Sequence, residues 1–239
     1  MLCVEIKDVV LQSKINERSI KAMTLPLIDF FAYGPRTVYT SHEIDFSKGR
    51  INWIPSSPVT IAGYYELAEL PFLFGNIADR FVEDMLTTKV LRPWRNPMGS
   101  SVPPPLGQYQ KKYAKTANVD AVIKSIGASL SPGQKLFRGG ITSPGIQSGV
   151  LSTTFSPEVA MNEALWKGKA NAIGKIQIYV LEVVNPKTCV YVFRQHGSNL
   201  GHEKEVLFAS GAFVSVGTVV KCGTSVCGLP YEIISATIS

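Results

Sequence analysis

Gly201-His202-Glu203-Lys204-Glu205-Val206-Leu207-Phe208 decides how the second half of this 239-residue chain is read. Val206-Leu207-Phe208 is an apolar, β-prone run. A strand that already includes Glu203 puts Glu203 and Glu205 on one side, because strand side chains repeat every two residues. Their carboxylates then stand roughly 7 Å apart, close enough for each to raise the cost of ionising the other. A core strand gains nothing from such a pair. A solvated edge tolerates it, and a site that handles charge makes use of it.

Two stretches upstream favour the site over the edge. In Leu136-Phe137-Arg138-Gly139-Gly140 an arginine closes an apolar run. Its planar fork suits the oxygens of a pyrophosphate or a ribose, and the two glycines let backbone and ligand come close. Leu151-Ser152-Thr153-Thr154-Phe155-Ser156 is a second β-prone stretch. Its hydroxyls can orient a neighbouring carboxylate, and Phe155 is either a wall for a flat ring or a core side chain. Ser156-Pro157-Glu158 then reads as a helix start, with a Ser cap, Pro in the first turn and an early acid; that helix runs to about Lys169.

In this order the three stretches resemble the Arg-Ser-Glu class of mono-ADP-ribosyltransferases. That class includes cholera-toxin-like and binary-toxin enzymes, T-even phage transferases and injected bacterial effectors. Its pattern is an aromatic or apolar residue before Arg-Gly, then Ser-Thr-Ser, then Glu-x-Glu at the head of a later strand. Thr154 stands where the pattern has its second Ser, which keeps the hydroxyl. The resemblance covers roughly residues 130 to 239.

The resemblance implies an α+β fold, with two packed, mainly antiparallel β-sheets around an NAD cleft and helices before them. It implies that NAD is the substrate and that nicotinamide is released as ADP-ribose passes to an acceptor. Glu205, Glu203 and Ser152 would be catalytic: Glu205 beside the reacting ribose, Glu203 towards the acceptor, Ser152 orienting Glu205. Arg138, Gly139, Ser152, Thr153, Thr154 and Phe155 would bind NAD. The loop carrying Arg194, Gln195 and His196 would face the acceptor. A Glu at position 203 points to a protein arginine, whose guanidinium pairs well with a fixed carboxylate. Two rival readings use the same residues: an NAD glycohydrolase, in which water replaces the acceptor, and a non-catalytic binder of nucleic acid or a partner. An RNA acceptor is a further variant.

Composition fits a folded chain, with 45% hydrophobic and 18% charged residues. The formal net charge of +6 permits acidic partners, NAD included, without identifying one. Cys3, Cys189, Cys222 and Cys227 show no CxxC spacing, and only three histidines accompany them, so no metal site is expected. A Cys222–Cys227 bridge is one option. The start, Met1-Leu2-Cys3-Val4-Glu5-Ile6-Lys7-Asp8, carries acids where a signal peptide needs an apolar block. No apolar stretch approaches the length of a membrane span. The expectation is therefore a cytoplasmic protein, of the producing or the target cell, with no membrane partner and an oligomeric state left open.

The rest of the chain divides into an extension over residues 1–60 and a transferase domain over 61–239. The domain has a helical lead over 61–130 and a β-rich core over 131–239. Ile77, Phe81, Met85 and Val90 fall at helical spacing after an Asn76 cap. Residues 97–105 read as a stiff, proline-rich connector. Val119, Val122, Ile123, Ile126 and Leu130 mark a second helix after an Asn118 cap. Strands are expected over 175–184, 189–193, 206–220 and 231–238.

Overall fold

The computed structural model describes residues 23–28, 44–45, 50–51, 64–74, 94, 101–111, 115–193 and 203–239. The anticipated helix after Asn76 lies outside the described residues, as do Arg194, Gln195 and His196.

Among the described residues, the leading part carries the helices α1 at Tyr64–Phe74, α2 at Pro104–Gln110 and α3 at Thr116–Ile126. Three two-residue strands precede α1: β1 (Thr24–Leu25), β2 (Ile44–Asp45) and β3 (Arg50–Ile51). The sequence then alternates into β4 (Ser129–Leu130), β5 (Lys135–Gly139), β6 (Gly145–Ile146) and β7 (Leu151–Thr154). Helix α4 (Pro157–Leu165) follows, continuing through a 3₁₀ turn at Trp166–Gly168 into α5 (Lys169–Ile173). The last strands are β8 (Ile176–Val183), β9 (Val190–Val192), β10 (Glu205–Phe208), β11 (Phe213–Thr224) and β12 (Pro230–Ile238).

Eight strands form one sheet in the order β6-β11-β12-β8-β5-β7-β10-β9. Only the β12–β8 pairing is parallel; the others are antiparallel. The class is α+β, as the order of helices and strands implies. The two expected sheets appear as two halves of this one. A five-strand half ends at β5 and a three-strand half begins at β7, and they meet at a single register pair, Phe137↔Thr154. Beyond that pair the two strands are no longer laddered, so a cleft opens at the seam.

Both halves are held by apolar burial. In β8 the run IQIYVLEV supplies Ile176, Ile178, Leu181 and Val183, all fully buried, and β-branched residues suit such a pleated surface. Leu136, Phe137, Leu207 and Phe208 close the core across the seam. From the start of the chain, Leu25 and Ile28 are buried in the same cluster. The buried Gln134 amide grips this segment at the Ile28 N–H (2.8 Å) and carbonyl (3.3 Å).

Two boundaries differ from the sequence reading. Pro104 and Pro105 do not extend the connector; they open α2, where a missing N–H costs nothing. Helix α3 begins at Thr116 after Lys115, so Asn118 is an interior residue and not its cap. The face expected of it is only partly buried: Val119 and Ile123 are fully covered, whereas Ile126 is exposed. Cys222 and Cys227 are both free thiols. Ser156 does cap α4, accepting from the Val159 N–H at 3.3 Å, with Pro157 as the first residue.

Candidate active site

The cleft at the seam is built by three strand positions. Ser152 pairs with Leu207 in the β7–β10 ladder and Thr154 pairs with Glu205, which makes Ser152 and Glu205 diagonal neighbours on one face. Ser152 Oγ donates to Glu205 Oε1 at 2.6 Å. From the other half of the sheet, Arg138 Nη1 donates to the Ser152 carbonyl at 2.6 Å, and Nε donates to Thr142 Oγ1 at 3.1 Å. The guanidinium thus staples β5 to β7 just where their ladder ends. Arg138, Ser152, Thr153, Thr154, Glu203 and Glu205 all line one cavity.

Glu203 reaches that cavity by a different route from the one expected. Strand β10 begins at Glu205, Glu203 lies in a 3₁₀ turn, and Lys204 between them has φ of 49°. The two acids are therefore not alternate residues of a strand. The left-handed Lys204 kinks the chain, and both acids still face the same space.

Glu205 is buried to 5% exposure. Burial is the main cause that pushes its pKa up to about 7, and the charges of Glu203 and Glu163 add to it. Hydrogen bonds from Ser152 and from the Tyr109 hydroxyl pull it back down. Burial first, then the Glu205 charge, pushes Tyr109 well above the usual tyrosine range, so its hydroxyl stays a donor. Burial draws Arg138 below its usual value, opposed by Tyr109 and Glu163.

Two residues expected at the ligand also pack the scaffold. Phe155 is fully buried and meets Trp94 edge-on at 4.9 Å, so it is core and forms no part of the cavity wall. Gly139 borders the cavity, but its missing side chain serves a helix. A Cβ there would lie 1.6 Å from the Ala160 carbonyl oxygen and 2.9 Å from the Ala164 nitrogen of α4. Thr153 turns its hydroxyl to the Val206 carbonyl at 2.7 Å.

Three residues outside the motifs join the site. Tyr109 arrives on α2, hidden in the sequence because the prolines before it read as a connector. Glu163 and Lys169 line the cavity from α4 and α5 and pair with each other at 3.5 Å. Val159, Ala160 and Glu163 lie on one face of a helix, so the spacing after the Ser156 cap held this information.

Chemically, the cavity offers a buried carboxylate that titrates near neutrality, a second acid beside it and a guanidinium fixed at one wall, and a phenol donates to the buried carboxylate from behind the lining. Such a set can stabilise a positive charge that develops next to a bound anion. Among the described residues no group of His, Cys, Asp and Glu is placed to hold a metal ion, and no helix is long and apolar enough to cross a membrane.

No family model matches this chain, and no curated protein matches it. Several solved structures are similar to it, and they are ADP-ribosyltransferases. The Vis toxin from Vibrio splendidus is 16% identical over 74% of this chain and 73% of its own, with a TM-score of 0.30. Plx2a from Paenibacillus larvae is 12% identical over 54% of this chain and 72% of its own, with a TM-score of 0.36. BECa from C. perfringens, solved with NADH, is 14% identical over 74% of this chain and 47% of its own, with a TM-score of 0.38.

Proposed function

We propose that this chain is an NAD-dependent mono-ADP-ribosyltransferase that modifies arginine on a protein. The observation that carries this reading is the half-buried chain Arg138–Ser152–Glu205, closed by hydrogen bonds of 2.6 Å at each link.

In the reaction the C1′–N bond of NAD breaks and nicotinamide leaves with the bonding electron pair. The ribose passes through an oxocarbenium-like state, as in glycoside hydrolysis. Ionised Glu205 offsets that charge. Ser152 and Tyr109 each donate a hydrogen bond that favours the ionised form. Arg138 supplies positive charge for the phosphate-bearing part of the substrate. Glu203 takes up the acceptor guanidinium and its proton as the new C1′–N bond forms. NAD is consumed as a substrate in these steps.

Incubating the protein with labelled NAD and a lysate should label proteins, and Glu205→Gln should abolish the label while far-ultraviolet circular dichroism stays unchanged. Nicotinamide released without any labelled protein would select the glycohydrolase instead. Intact NAD under every condition, together with salt-dependent nucleic-acid binding, would favour the non-catalytic binder.

A further inference from the structure

Thr154 lines the cavity and belongs to the motif that the family resemblance would assign to NAD, yet its hydroxyl is already committed. The single O–H proton goes to the Glu203 carbonyl at 2.6 Å, and a lone pair accepts the Ser156 N–H at 3.0 Å. A threonine hydroxyl has one hydrogen to give, so none is left to donate to a bound nucleotide. The side chain is buried to 5% exposure.

The group that Thr154 holds is the part of the site that the sheet does not fix. The β7–β10 ladder begins at Glu205↔Thr154, one residue after the left-handed Lys204. Glu203 stands outside that ladder. Its backbone is tied to β7 through the Thr154 hydroxyl, and the Phe155 N–H to Lys204 carbonyl contact at 3.3 Å continues the tie. Through Ser156, the capping residue of α4, the same hydroxyl links this turn to the helix that carries Glu163.

We infer that Thr154 is a positioning residue for Glu203, and that its hydroxyl governs how cleaved NAD is divided between an acceptor guanidinium and water. The inference rests on the transferase reading and assigns Thr154 to the acceptor side of that site. Glu205 and Ser152 keep their mutual hydrogen bond without it. Loss of the hydroxyl therefore frees the acceptor carboxylate more than it disturbs the carboxylate that meets the ribose.

The test measures nicotinamide release and ADP-ribosyl-agmatine formation in one reaction mixture, using agmatine as a small guanidinium acceptor. Thr154→Val keeps the shape and removes the hydroxyl. It should lower the transfer-to-hydrolysis ratio about tenfold, the size expected for one lost buried hydrogen bond. Thr154→Ser should restore the ratio to near the wild-type value. Both activities are read on the same active molecules, so the ratio does not depend on the fraction folded. If Thr154→Val yields no active protein, Thr154→Ala reads the same loss. A ratio that stays at the wild-type value or rises overturns the inference, as does a Ser variant that behaves like Val. Wild-type protein that releases no nicotinamide removes the transferase reading, and the Thr154 inference falls with it. Active wild type with an unmoved variant ratio removes the inference alone.

Discussion

Ser152 Oγ donates to Glu205 Oε1 across 2.6 Å, a diagonal contact between β7 and β10 in which both residues face the seam of the sheet. Removing this donor leaves a buried carboxylate with one fewer partner. A hydrogen bond to a charged group contributes about 1.5–3 kcal/mol, so Ser152→Ala should lower kcat/KM for NAD at pH 7 by about 10–100-fold. The loss should come with a shift of the pH profile to higher pH, because the missing bond had favoured the ionised form. Initial rates of nicotinamide release between pH 5 and pH 9 check both. Tyr109→Phe removes the second donor and should move the profile in the same direction.

The raised pKa of Glu205 makes opposite demands on activity and stability. Its value is about 7 in the folded protein against 4.5 ordinarily, so the native state holds this proton more tightly than the unfolded chain. Between those two values the unfolded state binds fewer protons, and stability falls as pH rises. The stability this group contributes is complete below about 4.5 and lost as pH passes about 7. The difference is on the order of 3 kcal/mol. Activity needs the ionised carboxylate, so kcat/KM should fall tenfold per pH unit below about 7. Glu205→Gln should unfold at higher urea concentration than wild type at pH 8 and show little gain at pH 5.

How far the site was legible depends on whether each residue's role is local. Ser156 as a helix cap, and the strand runs from Lys175 onward, were readable because capping and alternation are local. Arg138, Ser152 and Glu205 could be singled out by order and residue type, but no spacing along the chain says that they meet at the seam of one sheet. Glu203 misled, because the alternation rule assumes a continuous strand and a left-handed Lys204 breaks it. Phe155 could be read from the sequence either as a ring wall or as core, because its partner, Trp94, is far away in sequence and only the fold brings the two together. Tyr109 stayed hidden because Pro104 and Pro105, normally breakers, here begin a helix.

Arg138→Lys tests whether the guanidinium acts as a fork or as a mere charge. Arg138 uses Nη1 on the Ser152 carbonyl and Nε on Thr142 in different directions at once. A lysine ammonium keeps the charge and cannot reproduce a planar two-way contact. The substitution should weaken NAD binding by about tenfold or more and lower the melting temperature by several degrees, since two half-buried bonds at the β5–β7 seam are lost. Titration calorimetry with NAD and a thermal melt measure these separately. A lysine variant that binds NAD as well as wild type would leave Arg138 a structural staple only.

Gly139 and Gly140 are adjacent, yet they should respond very differently to the same methyl group. At Gly139 a Cβ would overlap the Ala160 carbonyl oxygen at 1.6 Å and press on the Ala164 nitrogen at 2.9 Å, both backbone atoms of α4. No side-chain rotation relieves that contact, so the helix must move away from β5. Gly139→Ala should cost about 3 kcal/mol or more, in the range of severe overpacking. The displaced helix would carry Glu163 out of place and lower activity even in the fraction that folds. At Gly140 a Cβ meets nothing closer than 3.8 Å, and the obstacle is conformational, with φ of +86°. Gly140→Ala should therefore cost about 1–2 kcal/mol, the usual penalty for a left-handed L-residue, and leave the cleft in place. Urea unfolding of the two variants side by side decides the matter, because comparable losses would mean that β5 and α4 are not packed as closely as the Gly139–Ala160 contact requires.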